Sequence, residues 1–500
     1  MDHRKPFEMT TPEALGIRSG DIMAYLDELE ESNTEMHGLM IMRHGKLCAQ
    51  GWWAPFGPGV RHGLQSHTKT YAATAVGIAY TEGLLKLDER LIDIFPEESP
   101  ENPSENLQKL TVRDVLCMGC GMDEMPRPTK DWIRDFLHTP VNHVPGTTYM
   151  YNSTGSTMLG AIVRKKTGLG LHEYLTPRLF NKIGIDPDNL RWMCMPDGME
   201  VGGGGLFATT EDNLRLMKLY ADGGVWEGER ILAEDYVRLA TTNQNDSATE
   251  SINNPEAFDN FLGYGFQIWM CKPQGAYRAD GAMGQFTIVL PTLDMLIAIN
   301  ETAVGAHWAQ STLDITWRFV EKITDSLPLP EDEAALKALR ARMARLSIGN
   351  PPCQPYSPTV SKVSGKTYQV ESGHFTPFGA NFMTGEGPDD IAAFGLDFDA
   401  YGCVWHLETR SGRKEDLRVS TQGTWFTNFV GPLERTTSLY LCDGWWPEEN
   451  VFEMHCRWVE TCLEDVYRLT FAPDGKVHIT TENNSPFRWG EPEPIVAVKA

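Results

Sequence analysis

Ser66 and Lys69 are the residues of this 500-residue chain whose types and spacing first suggest chemistry. They stand three apart at the start of residues 64–80, LQSHTKTYAATAVGIAY. On a helix, position i+3 lies one turn above position i on nearly the same face, so the amine can reach the hydroxyl. A serine hydroxyl is a poor nucleophile until a base takes its proton. A lysine serves as that base only if burial keeps it neutral, or if it holds a second base in place. Residues 71–80 carry no charge, and a helix apolar all round belongs inside a large core. A helix cap followed by a snorkelling lysine would leave the same pattern, so the surrounding elements must decide.

Those elements are legible in order. Residues 11–34 read as an amphipathic helix. GLMIMRHGKLCAQGWW then reads as two strands joined at His44-Gly45, an edge-to-centre pair of an antiparallel sheet. The Ser66 helix ends near Glu82-Gly83, and residues 95–106 make a surface connection. Residues 111–122 read as a short helix running into a turn, 131–139 as another. Pro145-Gly146 then turns the chain into Tyr149 to Ser153, ahead of a helix containing Met158 to Lys166. Gly202 to Gly205 form a glycine run without the G-K-[ST] ending of a phosphate loop. Thr210 with Asp212 marks a helix start. Residues 243–260 are polar and aperiodic, a candidate flap beside a pocket. YGFQIWM, AYRAD, QFTIVL and DMLIAIN read as consecutive antiparallel strands, and TLDITWRFVEKI as a closing helix.

The organisation expected is therefore a large α+β domain over 1–326, a helix and Pro-rich linker over 327–358, and an all-β barrel or sandwich over 359–500. The formal charge of −24 argues against nucleic acid and anionic membranes. No apolar leader opens the chain and no run reaches about 18 apolar residues, so a cytoplasmic protein is expected. Ten cysteines scatter from Cys48 to Cys462 without a framework, consistent with reduced thiols. Cys117 and Cys120 form a lone C-x-x-C with no second pair at zinc spacing, so no metal is expected.

Three landmarks in order resemble the serine β-lactamase-like superfamily. That group includes penicillin-binding proteins, class C β-lactamases, D-aminopeptidases, family VIII esterases and 6-aminohexanoate-dimer hydrolase. Ser66-His67-Thr68-Lys69 matches the Ser-x-x-Lys nucleophile motif. PGTTYMYNS is similar to the second motif, a Tyr-x-Asn, and YRADGAMGQFTIVLP to the third-motif strand, usually Lys-Thr-Gly or His-x-Gly. The likeness spans about residues 10–325. It implies an antiparallel sheet flanked by helices with an all-helical lobe. It also implies attack by Ser66 to form an acyl-enzyme, a base role shared by Lys69 and Tyr151, and an oxyanion hole from the Ser66 and Ala282 N–H groups. No cofactor is implied.

Two departures bear on substrate. Ser153 stands where the amide of Tyr-x-Asn would be; it reads either as a helix N-cap or as a substrate contact. Ala279-Asp280-Gly281 replaces Lys-Thr-Gly, so the cation that would hold a substrate carboxylate is gone. Asp280 reads either as an ion-pair partner of Arg278 or as a group that binds a substrate amine or hydroxyl, with Gly281 beside it. His67 reads as a helix-surface residue. Trp52, Trp53 and Trp132 read first as packing, with cleft lining as the alternative.

The expectation is an esterase or amidase for small neutral acyl compounds, poor on penicillins and D-Ala-D-Ala peptides. The alternatives are a D-amino-acid peptidase or amidase that uses Asp280 to read an amine, and a catalytically idle binding protein. The small-molecule substrate is the partner expected. The β-rich tail could cover the site entrance, mediate self-association into a homo-oligomer, or bind a ligand.

Overall fold

The computed structural model describes residues 5–32, 34–126, 129–303, 309–349, 351–377, 389–429, 439–461, 463–484 and 494–500; Cys462 lies outside these. The chain forms two compact units, residues 1–346 and 347–500. Among the described residues no helix is long and apolar enough to cross a membrane.

The first unit is built on a six-stranded antiparallel sheet. Its strands are β1 (Thr34–Arg43), β2 (Lys46–Trp52), β3 (Trp269–Met270), β4 (Tyr277–Gly281), β5 (Gln285–Leu290) and β6 (Met295–Ala303). Their spatial order is β2-β1-β6-β5-β4-β3. The β1–β2 turn uses His44 and Gly45 at φ 50° and 72°, the left-handed pair that a tight hairpin needs. Both faces of the sheet are covered, so β1 and β6 bury nearly every residue and lose the alternation of a half-exposed strand. Neighbouring residues of β6 show the two layers. Asn300 accepts a 2.8 Å bond from Thr210 of α4 (Thr210–Ala221), whereas Glu301 accepts one of 2.8 Å from Thr312 of α5 (Gln310–Val320). Helix α1 (Ser19–Glu31) lies with α5, joined by the Tyr25–Thr316 bond of 2.8 Å and the Tyr25–Phe319 stack.

On the α4 side sits α2 (Thr68–Thr81), with Thr68 to Ala79 entirely buried. Gly77 lets the Tyr236 ring lie where a Cβ would come within 2.4 Å, and the Tyr236 hydroxyl donates to the Ala73 carbonyl at 2.6 Å. Beside it runs α3 (Ser153–Thr167). A final helix, α6 (Glu333–Met343), also belongs to this unit: its Arg342 pairs with Asp27 and Glu30 of α1. The segment read as a linker is thus anchored by charge to the unit that precedes it.

The second unit is a barrel. Nine strands follow one another antiparallel around it, from Lys414–Ser420 through Gly402–Thr409, Ile391–Phe398, Lys366–Ser372, Ile495–Lys499, Lys476–Asn483, Leu463–Phe471 and Val451–Trp458 to Leu439–Glu448. A parallel bridge between Ser420 and Asp443 closes the ring, and Phe426–Phe429 pairs outside it. Side chains such as Trp405, Tyr440, Met454, Leu469 and Ile479 fill its core. Of the two all-β architectures expected, the closed barrel is the one formed, and closure removes the edge strands a sandwich would leave.

Candidate active site

Ser66 lies in a 3-10 turn over Gln65–His67 that feeds into α2. Gln65 before it holds φ at 49°, a left-handed conformation costly for a residue with a Cβ and common where geometry is imposed by function. Lys69 is 1% exposed. Its Nζ lies 2.8 Å from Ser66 Oγ and donates to the Gly203 carbonyl at 2.6 Å. Burial pulls the Lys69 pKa down to about 7, with nearby Asp280 opposing the shift.

Tyr151 closes the group from the loop before α3. Lys69 Nζ sits 4.8 Å from the centre of its ring, and the Ser66 side chain lies within electrostatic reach of its hydroxyl. Burial raises the phenol's pKa, only partly countered by nearby Ser66, so it keeps its proton at neutral pH. The ring stacks on Trp269 at 5.7 Å and meets Tyr264 edge-on at 6.5 Å. Tyr149 and Met118 complete this aromatic cluster. Asn152, not Ser153, caps α3: its Oδ1 accepts from the Gly155 N–H at 2.8 Å, leaving Ser153 as the first helical residue.

The facing wall is the end of β4. A Cβ on Gly281 would come within 2.0 Å of the Leu64 carbonyl oxygen and 3.1 Å of the His67 nitrogen, so only glycine lets this strand meet the Ser66 turn. Among the described residues the Ala282 N–H has no hydrogen-bond partner. Asp280 accepts from Arg278 Nε at 2.8 Å. Arg278 is buried, and its other donors reach Asn260 Oδ1 at 2.5 Å, the Met270 carbonyl at 3.1 Å and Cys271 Sγ at 3.5 Å. Asp280, Gly281, Met283, Asn260 and Gln310 line a small depression beside the strand.

His67 is not on the surface. It is buried against β5, Nε2 3.0 Å from Thr287 Oγ1, and burial lowers its pKa to about 4. A residue one step from Ser66 points 100° away around the axis, here into the sheet. Trp53 donates to Glu30 at 2.9 Å, Trp52 to Thr210 at 3.3 Å, and Trp132 is buried, all packing roles.

Two contributors escaped the sequence reading. Gly203 supplies the carbonyl that holds Lys69, and a Cβ there would lie 2.2 Å from the Ser153 carbonyl oxygen. A glycine run without a phosphate-loop ending was the available sign of such a close backbone approach. Gln267, at φ 57°, ties the site's elements together. Its amide donates to the Val115 and Leu116 carbonyls and accepts from Ser156 of α3, while its carbonyl accepts from Thr70 of α2. It sits inside a run that reads as strand, which hid it.

The beta-lactamase family model matches residues 26–311, and the chain belongs to that family, whose members are serine hydrolases. The chain is 25% identical over 312 residues to the 6-aminohexanoate-dimer hydrolase of Paenarthrobacter ureafaciens, covering 57% of this chain and 76% of that one. Among solved structures, the octameric penicillin-binding protein homologue from Pyrococcus abyssi aligns over 96% of this chain and 99% of its own, at 14% identity and a TM-score of 0.48. A family VIII carboxylesterase aligns over 62% and 98%, at 16% identity and a TM-score of 0.48.

Proposed function

We propose that the protein hydrolyses small ester or amide substrates through an acyl-enzyme on Ser66. The observation that carries this reading is the 2.8 Å contact between Ser66 Oγ and a buried amine whose pKa lies near 7. A neutral Lys69 has two N–H bonds and one lone pair. With one N–H held by the Gly203 carbonyl, the lone pair can take the Ser66 proton as Oγ attacks the carbonyl carbon. Tyr151 keeps its proton and is the donor placed to pass one to the leaving group. The N–H groups of Ser66 and Ala282 hold the oxyanion. Water then takes the Lys69 or Tyr151 route in reverse to release the acid. Ser153 and Gly281 border the substrate, and the free thiols among the described cysteines suit a cytoplasmic enzyme.

Poor β-lactam turnover follows from the third-motif strand. A missing charged hydrogen bond to the substrate carboxylate costs roughly 1.5–3 kcal/mol. The Arg278 donors that could compensate are directed at other protein groups. The test is a panel of p-nitrophenyl esters beside nitrocefin. Ester turnover with an initial burst is expected, lost by ~10⁶ in Ser66→Ala, with nitrocefin slower by about tenfold or more. Equal activity of Ser66→Ala, or efficient nitrocefin hydrolysis, would contradict the reading.

A further inference from the structure

Resting on that serine-hydrolase reading, we infer that Gln285 is a positioning residue for the Ala282 N–H of the oxyanion hole, itself held in place by Asn300 and Thr210. Strands β4 and β5 are joined by Ala282-Met283-Gly284, which follow directly on the glycine packed against the Ser66 turn. Met283 holds φ at 67° and Gly284 at 91°. For a residue with a Cβ, such a conformation persists only where its surroundings impose it. The Gly281 carbonyl accepts from the Gly284 N–H at 3.2 Å, inside the loop. The Gly281–Ala282 peptide is trans, which sets its N–H opposite its carbonyl, so the Ala282 N–H is directed out of the loop.

The Gln285 side chain holds the peptide planes that come next. It is buried opposite Gly281, on the face of the sheet that meets the Ser66 turn. Its Nε2 carries two N–H bonds for three carbonyls: Glu301 of β6 at 2.7 Å, Met283 at 3.3 Å and Ala282 at 3.5 Å. Because all three are acceptors, the amide must turn its nitrogen toward them and its oxygen away. That oxygen accepts from Asn300 Nδ2 at 3.0 Å, which leaves Asn300 Oδ1 to accept from Thr210 Oγ1 at 2.8 Å. Every group in the row therefore has one sense, from α4 through β6 to the loop. Asn300 and Thr210 are buried as well, in a low dielectric that strengthens each of these bonds. Packing alone asks only for an apolar side chain here, as at Val289 on the same face of β5. What the amide adds is a single geometry for the loop, and hence for the N–H that meets the developing oxyanion.

The test compares Gln285→Met with the unaltered protein, both as full chains, on a p-nitrophenyl ester. Removing an oxyanion donor outright costs on the order of 10²–10³ in kcat, so loosening one should cost at least about tenfold, with KM within about twofold. The midpoint of the pH profile should stay near 7, where Lys69 sets it. The carbonyl stretch of the acyl-enzyme, read by infrared difference spectroscopy, should move to higher frequency as that carbonyl loses its hydrogen bond; a purely structural role would leave the band in place. Asn300→Asp keeps an acceptor for Thr210 but has no N–H for the Gln285 oxygen. It should move kcat and the band the same way, and it carries the test should Gln285→Met not fold. Unchanged kcat in the variants, or a loss carried by KM with the band unmoved, would overturn the role of Gln285 while leaving the serine hydrolase intact. An unaltered protein that forms no acyl-enzyme would instead remove the reading on which it rests.

Discussion

Lys69 is the residue on which the chemistry turns, because its burial sets both a rate and a stability. With a folded pKa of about 7 against an ordinary 10.5, it is a base over a window where a solvated lysine is not. Acylation should rise about tenfold per pH unit below 7 and level off above. The stability sign is the reverse of a favourable ion pair. Between about 7 and 10.5 the unfolded chain holds the proton that the folded one has released, so stability rises with pH across that window and is fully depressed below it. Lys69→Met should therefore abolish turnover yet raise stability at pH 6 by an amount of order a few kcal/mol, seen as a higher melting temperature, with the advantage shrinking by pH 10. Thermal scans of the two proteins at both pH values check this; a Met variant that melts lower at pH 6 would show that burial does not depress the amine's pKa. Ser66 and Lys69 were legible because helical geometry alone fixes i to i+3. His67 was not, since the direction of a helix neighbour depends on which face the sheet covers.

At the scale of elements, the site is an agreement among backbones. The Ser66 turn, the glycine run and the end of β4 approach so closely that side chains are excluded at Gly203 and Gly281. Gly203→Ala places a methyl carbon 2.2 Å from the Ser153 carbonyl oxygen, so the loop must retreat and take the Lys69 acceptor with it. A stability loss of roughly 1–3 kcal/mol is expected. An activity loss of at least tenfold should accompany it, together with an upward shift of the pH profile's midpoint as water reaches the amine. An unchanged profile would remove Gly203 from the positioning of Lys69. The hydrophobic pattern made these strands and helices readable, including the antiparallel run from β3 to β6. What it could not supply were the loops between them, where Gly203 works through a backbone carbonyl that any residue type carries and Gln267 through a side-chain amide whose partners are distant in sequence.

Across the whole molecule, an α+β unit of the beta-lactamase family precedes a closed nine-strand barrel. Alternating aromatic runs announced an all-β unit, but closure depends on long-range pairing such as the Ser420–Asp443 bridge, which no local pattern encodes. The barrel wall carries its own liability at that bridge. Both Asp443 carboxylate oxygens are buried without a partner among the described residues, and burial raises its pKa to about 7, with His455 partly offsetting. As pH climbs from about 4 to 7 the unfolded chain gives up that proton first, so barrel stability should fall over this range. In Asp443→Asn the fall should be smaller, and hydrogen exchange of strand amides between residues 439 and 458 at pH 5 and pH 8 would read it. Matching pH dependence in the two proteins would mean that Asp443 is solvated or paired.

The most direct check on the central claim is the pH dependence of covalent labelling at Ser66 in the intact protein. A neutral fluorophosphonate should form one adduct, on the peptide carrying Ser66, at a rate that climbs through a midpoint near pH 7, and none in Ser66→Ala. A folded protein that stays unlabelled, or labels at a rate indifferent to pH between 5 and 9, would contradict a lysine-activated serine.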